Sequence, residues 1–156
     1  MTVSYAIRWA VTADPPSIAE IAVSAHRGYV AVMGREPAPM RADFQAHIDI
    51  DMVFVADATD GIAGYVVLCE IDGDWWLDNI ATAPRHHGRG LGRLLVEFAE
   101  DWLSRRTDRV QLYTNILMTD NLGWYDRLGY RHTGWRIVDG FDRAYFEKRL
   151  IQTETP

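Results

Sequence analysis

The stretch Pro84-Arg85-His86-His87-Gly88-Arg89-Gly90-Leu91-Gly92-Arg93 carries most of the information about the fold. Glycine stands at alternate positions between a β-rich run that ends at Thr82 and an amphipathic run that starts at Leu91. A strand-to-helix junction of this kind exposes several backbone N–H groups at the positive end of a helix dipole. Glycine also lets the backbone approach a ligand closely. The stretch therefore predicts a site for a phosphate or pyrophosphate group.

Two familiar phosphate-binding loops fit this stretch poorly. A P-loop requires Gly-Lys followed by Ser or Thr, whereas Gly92 is followed by Arg93-Leu94, which excludes it. A dinucleotide fingerprint requires G-x-G-x-x-G in a parallel β-α-β unit, whereas this chain has G-x-G-x-G after a run of antiparallel strands. A nicotinamide oxidoreductase therefore stays a weak alternative, and so does a tight turn that binds nothing.

The periodicity on either side of the stretch predicts an α/β (α+β) fold. Alternating apolar and polar residues indicate strands, and apolar residues three or four apart indicate helices. Asp14 and Asp120 are interpreted as helix N-caps, and the Asp-Gly pairs at 60–61, 72–73 and 139–140 as tight turns. The order predicts a mixed, mostly antiparallel sheet of about seven strands flanked by about four helices. In chain order we expect a strand at 3–9, a helix from 15 to near 28, an irregular or short-helical loop at 28–42, a short helix at 43–48, strands at 52–58, 62–71 and 74–82, a long helix from 91, a strand at 109–115, a helix at 120–128, and strands at 130–138 and 143–150.

Length and composition predict one domain over residues 1–150, with a loose tail over 151–156. The chain has 156 residues, 48% hydrophobic and 24% charged, which is typical of globular proteins. No apolar run approaches the ~20 residues that cross a bilayer. The N-terminus lacks the features of a secretory signal, and the one cysteine, Cys69, forms no internal disulfide. These features predict a cytoplasmic protein that does not associate with membranes.

The net charge of −6 argues against a nucleic-acid or anionic-membrane binder. Within this acidic chain, residues 84–96 carry three arginines, two histidines and no acid, which adds to the case for an anion site. The His, Cys and carboxylate residues show no metal-ligand spacing, so no metal is expected. The sequence leaves open whether the chain forms a homodimer.

Over essentially its whole length the chain resembles the GNAT superfamily of N-acetyltransferases. The acyl-CoA loop of that family runs Gln/Arg-x-x-Gly-x-Gly/Ala after the fourth strand, and His87, Gly90 and Gly92 match it, with histidine in place of Gln or Arg. Arg85-x-x-Gly88-x-Gly90 also fits, but the later register places Gly92 at the helix entrance. The resemblance implies that acetyl-CoA is the acyl donor and that its pyrophosphate is held by the backbone of His87, Gly88, Arg89, Gly90, Leu91, Gly92 and Arg93.

A second segment, 112–130, is similar to the family's strand, helix and Tyr-x-x-x-Gly-Phe/Tyr signature, which Tyr125, Gly129 and Tyr130 match. The family commonly has Asn seven residues before that tyrosine, where this chain has Met118; its Asn121 stands four before. The resemblance implies that Tyr125 contacts CoA and protonates the departing thiolate, and that Asn121 contacts the pantetheine. It also implies an oxyanion donor among the backbone N–H groups of Ile80, Ala81 and Thr82.

Acetyl transfer to an amine requires a neutral amine, stabilisation of the thioester oxygen and a proton for the thiolate. A phenol such as Tyr125, with an ordinary pKa of about 10, stays protonated and can donate. For the base we expect a carboxylate of the central strands, Asp78 first and Glu70 second, acting directly or through water. Cys69 lies in an apolar run and is interpreted as a packed residue rather than a nucleophile. The acceptor is expected to be shaped by the loop after the first helix, at Tyr29, Met33 and Arg35.

Two functions stay open at this point. The first is an N-acetyltransferase that moves the acetyl group to a primary amine of a small molecule or protein by direct attack in a ternary complex. The second is a non-catalytic acyl-CoA-binding sensor, in which the loop binds CoA and Tyr125 is only a core aromatic residue. Both predict CoA binding, and turnover separates them.

Overall fold

The structure, a computed structural model, describes residues 4–50 and 52–151. Within these residues it contains seven strands, four helices of six or more residues and one single-turn helix, which confirms the expected α/β fold with a mixed sheet. None of the described helices is both long and apolar enough to cross a bilayer. The elements are β1 (Ala6–Trp9), α1 (Pro15–His26), α2 (Val30–Met33), α3 (Phe44–Asp49), β2 (Val53–Ala58), β3 (Gly61–Ile71), β4 (Asp74–Thr82), α4 (Leu91–Ser104), β5 (Arg109–Asn115), α5 (Thr119–Arg127), β6 (Arg131–Val138) and β7 (Phe141–Arg149).

The chain divides into two compact units, and each is described by itself. Unit 1 comprises the described residues up to 68 together with 79–97, and unit 2 comprises 69–78 with 98–151. The strands follow the order β1-β2-β3-β4 in unit 1 and β4-β5-β7-β6 in unit 2. In unit 2, β4 and β5 are parallel, paired at Trp76 and Gln111, whereas β7 is antiparallel to both β5 and β6. The single domain over residues 1–150 stays a prediction, and the tail lies outside the described residues apart from Ile151.

The core of unit 1 forms where α1 and α3 pack on one face of the central strands. Ile18, Ile21 and Phe44 bury their side chains against Val55 and Tyr65. The hydroxyl of Tyr65 donates to Oδ1 of Asn79 at 2.8 Å, which satisfies a buried amide oxygen. The apolar faces of α1 and α3 thus pack on the central strands and hold β3 and the end of β4 in place.

The first turn of α4 approaches β3 closely because residue 64 is glycine. A Cβ atom at Gly64 would stand 3.0 Å from the carbonyl oxygen of Ala81, 3.0 Å from Cδ1 of Leu95 and 3.2 Å from Cδ2 of Leu91. The missing side chain therefore sets the position of the helix N-terminus that follows the glycine-rich stretch.

Gly64→Ala is expected to lower the free energy of unfolding by about 1–3 kcal/mol, because a methyl group has no room between strand and helix. Chemical denaturation followed by circular dichroism measures the change. Gly134→Ala, in β6, is the matched control, since its added Cβ would meet no atom within 4 Å. A loss of the same size in both variants would contradict the close-approach explanation.

Of the two predicted helix N-caps, one is confirmed in position and the other is wrong. Asp14 is the N-cap residue of α1, as predicted, but its carboxylate accepts from the Val11 amide and the Arg8 guanidinium, both at 2.8 Å, and not from a helix N–H. The prediction of Asp120 as an N-cap is wrong, because α5 starts at Thr119. A turn in which Asn115 accepts hydrogen bonds from the backbone amides of two following residues, Leu117 and Met118, brings the chain into the helix earlier.

The strands at the end of the chain are joined more tightly than predicted. Asp139 and Gly140 both have positive φ angles, 51° and 78°, so the turn occupies two residues and β7 begins at Phe141 rather than at residue 143. Positive φ at both central positions is typical of the hairpin turns that match the twist of the strands. The pair Asp72-Gly73, with φ angles of 53° and 86°, turns β3 into β4 in the same way.

Candidate active site

The glycine-rich stretch forms an open turn in unit 1. After a short 3-10 turn over Pro84–His86, Gly88 and Gly90 both have a φ of +77°, a region that other residues enter at a cost. The carbonyl oxygen of Gly90 accepts the first hydrogen bond of α4, from the Leu94 amide at 3.0 Å. A Cβ atom at Gly88 or Gly90 would meet nothing within 4 Å, so both glycines border open space.

Six consecutive backbone N–H groups, from Gly88 to Arg93, have no hydrogen-bond acceptor within the described part of the chain. The amides just before them do have acceptors, since His86 donates to Ala83 and His87 to Pro84. Orphan donors are expected in the first turn of a helix, and the turn adds further donors to them. Together with the helix dipole they form a cluster suited to a diphosphate.

Arg85 and His86 anchor the turn. Arg85 donates to Oδ2 of Asp60 at 2.7 Å and to the carbonyl oxygen of Ile62 at 3.0 Å. The buried His86 ring lies 2.9 Å from the Tyr5 hydroxyl through Nδ1 and 3.1 Å from Asp60 through Nε2. The Arg85 guanidinium, and after it His86, lowers the pKa of the Asp60 carboxyl. These contacts tie the turn to the β2–β3 hairpin.

The side chains of His87, Arg89 and Arg93 are exposed, whereas Leu91 is buried in the core. Nε2 of His87 lies 3.2 Å from the carbonyl oxygen of Thr82, so this residue, which replaces the usual Gln or Arg, closes the turn onto the end of β4. Arg93 pairs with Glu97 one helical turn later at 3.0 Å. Arg89 is exposed and has no ion pair with a described residue. Ile80, Ala81 and Thr82 form the last residues of β4 directly before the turn.

The residues expected to shape the acceptor site all lie in the segment that follows α1, in unit 1. Tyr29 ends a 3-10 turn, Met33 ends α2, and Arg35 follows Gly34, whose φ is +74°. Tyr29 and Met33 are half-buried and Arg35 is exposed. The prediction of an irregular, short-helical segment over 28–42 is confirmed.

In unit 2, Tyr125 lies on α5 with its ring among three aromatic neighbours, Trp124, Tyr130 and Phe146, at centroid distances of 5.1 to 6.0 Å. Burial raises the pKa of its phenol well above the usual value of 10. The hydroxyl has no hydrogen-bond partner among the described residues, where every fully buried side-chain N or O atom has one. The hydroxyl oxygen therefore keeps a small exposed area, although Tyr125 as a whole is buried.

The Asn121 side chain connects the start of α5 to the end of β5. Its Nδ2 donates to Oγ1 of Thr114 at 3.2 Å and lies 3.6 Å from the sulfur of Met118. These internal contacts engage the Nδ2 side of the Asn121 amide.

Of the two carboxylates expected as bases, Asp78 is half-buried in unit 2 and Glu70 is exposed near the end of β3. The Cys69 thiol on β3 lies near the Asp78 carboxylate on β4. Burial, with the Asp78 charge as a second cause, raises the pKa of Cys69 to about 12. The cysteine is therefore a neutral thiol. No group of three or more described His, Cys, Asp or Glu residues could hold a metal ion.

Cys69 is expected to react with iodoacetamide at pH 8 about 10³-fold more slowly in the folded protein than in 6 M guanidinium, because only the thiolate reacts. The raised pKa keeps the thiolate fraction small until the pH approaches 12. Mass spectrometry of the chain's one cysteine measures the rate. Equal rates in the folded and the denatured protein would contradict the raised pKa.

From the sequence, Trp75-Trp76 fit either the lining of a substrate cleft or, preferably, cover for the two faces of the sheet; the structure places Trp76 in an aromatic and cationic surface on the strands of unit 2. It comprises Trp76, Tyr113, Tyr145, Arg136 and Arg143. Which rings of this surface face each other depends on the register between β5 and β7.

Comparison with known proteins places the chain in a class of enzyme. The family model described as an acetyltransferase (GNAT) domain matches residues 49–132, more than half of the chain, so the protein is an acetyltransferase. It belongs to the GNAT family, whose members use acetyl-CoA.

Solved structures share the fold at low sequence identity. The ribosomal-protein-S18-alanine N-acetyltransferase from Escherichia coli is 20% identical, with 97% of each chain covered and a TM-score of 0.76. A GCN5-related N-acetyltransferase from Rhodopseudomonas palustris is 18% identical, with 96% of this chain and 99% of that one covered and a TM-score of 0.79. Nourseothricin acetyltransferase is 22% identical, with 93% and 98% covered and a TM-score of 0.70. At these identities the likeness extends to the fold alone.

Proposed function

We propose that this enzyme transfers the acetyl group of acetyl-CoA to a primary amine of a small molecule or a protein by direct attack in a ternary complex. The observation that carries the proposal is the run of six N–H groups without acceptors, Gly88 to Arg93, at the start of α4. This cluster suits the diphosphate of CoA, and the positive φ angles of Gly88 and Gly90 leave space for it.

Acetyl-CoA supplies a thioester, which is activated toward an amine. Asp78, with Glu70 as the second choice, takes a proton from the acceptor ammonium, directly or through water, so that the nitrogen lone pair can attack. One backbone N–H among Ile80, Ala81 and Thr82 donates to the thioester oxygen and stabilises the charge that develops there.

Tyr125 donates its hydroxyl proton to the sulfur as the carbon–sulfur bond breaks. Burial keeps the phenol protonated at neutral pH, and its hydroxyl has no acceptor among the described residues to compete with the sulfur. Asn121 contacts the pantetheine. Tyr29, Met33 and Arg35 contribute to the acceptor site from the segment after α1.

The test combines two measurements on the same protein. Calorimetry measures CoA binding, and a thiol-release assay with acetyl-CoA and a broad amine panel measures turnover, with product masses checked. An increase of 42 Da in an amine, in step with thiol release, supports the proposal. Firm CoA binding without thiol release from any amine would instead indicate a sensor.

A further inference from the structure

Arg136 and Arg143 bring two like charges together in unit 2. They are directly opposite each other in the antiparallel register of β6 and β7. Like charges in this position repel each other and destabilise a sheet. Neither guanidinium is within salt-bridge distance of a carboxylate in the described residues.

The neighbouring arginines of this sheet do have carboxylate partners. Arg131 pairs with Glu147, Arg149 with Asp108, and Arg109 with Asp74. The surface of unit 2 is therefore not short of acids in general. Among the described arginines of β5, β6 and β7, only Arg136 and Arg143 lack a carboxylate partner, which points to an anion supplied from outside the chain.

Both guanidiniums lie over tyrosine rings. The guanidinium carbon of Arg143 is 4.2 Å from the ring centroid of Tyr113, and that of Arg136 is 4.8 Å from the ring centroid of Tyr145. Stacking of this kind orients the planar group and leaves the N–H groups at its edge available for a bidentate anion. The two tyrosines are themselves cross-strand partners with centroids 5.7 Å apart.

The same surface continues to β4. The Trp76 ring lies 6.3 Å from Tyr113 and 6.1 Å from Tyr145, and all three are half-buried. Tyr113 lies near charges of opposite sign. Burial is the main cause that raises the pKa of its phenol; the Asp78 carboxylate raises that pKa further, and the Arg143 guanidinium lowers it. An acid and an unpaired cation therefore flank one aromatic surface.

We propose that the acceptor is a small amine that also carries a carboxylate, bound with its carboxylate on Arg143 and Arg136 and its amine toward Asp78. The rings of Trp76, Tyr113 and Tyr145 form the floor of the site. Strands about 4.8 Å apart place β4 and β7 about 10 Å apart, which a small zwitterion with a charge-assisted hydrogen bond at each end can span. This inference rests on the proposed function, because Asp78 is the base there.

The test compares amines with and without a carboxylate: phenylalanine with phenethylamine, and β-alanine with propylamine. We expect kcat/KM to favour the carboxylated member of each pair by about 10-fold or more. Arg143→Gln should raise KM about 10- to 100-fold for the carboxylated amines and leave it nearly unchanged for the others. Arg136→Gln should act in the same direction.

Arg149→Gln is the matched control, because Arg149 lies on the same face of the same strand but is paired with Asp108. Equal KM changes for both members of a pair, or no carboxylate preference in the unmutated enzyme, would overturn the inference and leave acetyl transfer standing. A preference for O-phosphoethanolamine over β-alanine would also overturn it, in favour of a phosphate.

A binding measurement separates this inference from the proposed function. Phenylalanine should raise the midpoint of thermal unfolding where phenethylamine does not, and Arg143→Gln should abolish that shift. Such binding without thiol release would contradict the proposed function alone. No shift with any carboxylated amine, in an enzyme that acetylates phenethylamine, would contradict this inference alone.

Discussion

Tyr125→Phe is expected to lower kcat for acetyl transfer about 10²- to 10⁴-fold, with little change in KM for acetyl-CoA. The substitution removes one oxygen from a ring whose packing among Trp124, Tyr130 and Phe146 stays the same. Because the hydroxyl has no hydrogen bond to a described residue, its loss leaves no buried group unsatisfied. The effect should therefore be confined to the proton that the phenol supplies.

Steady-state kinetics on the two proteins, together with their unfolding curves, measure this effect. Tyr130→Phe is the matched control, since the Tyr130 hydroxyl donates to Glu100 at 2.8 Å and has a structural partner. That variant should lose about 1–3 kcal/mol of stability and keep its kcat. A Tyr125→Phe enzyme with unchanged kcat would make Tyr125 a packed core residue and leave protonation of the thiolate to water.

The pH profile provides a second readout of the same role. An ordinary tyrosine phenol is protonated at pH values below its pKa of about 10. Because burial raises the pKa of Tyr125, its phenol stays protonated at still higher pH. Loss of a proton from Tyr125 should therefore not lower kcat between pH 7 and about 10. An alkaline loss of kcat in that window that disappears in Tyr125→Phe would contradict the direction of this shift.

Gly90→Asp is expected to weaken CoA binding by about 100-fold or more. The residue has a φ of +77°, which costs a non-glycine residue about 1–2 kcal/mol. In addition, the new carboxylate would stand beside the amides of residues 88–93, where it competes with the diphosphate for the same donors and repels it. Both effects act against the bound state.

Calorimetry with CoA and with inorganic pyrophosphate measures the loss of binding affinity for each ligand separately. Gly73→Asp is the control, because Gly73 also has a positive φ, +86°, and open space around its Cβ position, but lies in the β3–β4 turn. The Gly73→Asp variant should have a similar conformational cost at its positive φ and should bind CoA with unchanged affinity. Undiminished CoA binding by Gly90→Asp would refute the assignment of the anion site to this turn.

The local elements could be predicted because their signals are local. The bounds of β4 and β5 agree with the prediction, since Asp72-Gly73 and the alternation of side chains leave little choice of register. The turn at 84–93 could be predicted for the same reason, because positive φ angles at Gly88 and Gly90 are a property of a few adjacent residues. At Asp120 this reasoning failed, because the preceding turn at Asn115 determined where α5 starts.

The roles of single charged residues could not be predicted in this way. The cationic segment suggested that Arg85 and His86 face a bound anionic ligand. Instead, both contact the carboxylate of Asp60, which lies in a hairpin more than twenty residues earlier in the chain. Arg136 and Arg143 gave no signal in the sequence, since fifteen arginines are spread along the chain. Their significance appears only when β6 and β7 pair and no carboxylate of a neighbouring strand comes within reach.

Periodicity and turn chemistry in the chain were enough to establish the order of strands and helices, the open glycine turn and the position of Tyr125 on its helix. Pairing of distant strands was needed to establish which cations are neutralised, which tyrosines meet and which hydroxyl lacks a partner. The physical reason is range: backbone conformation responds to neighbours a few residues away, whereas ion pairs and ring contacts depend on groups that only folding brings within about 4–6 Å.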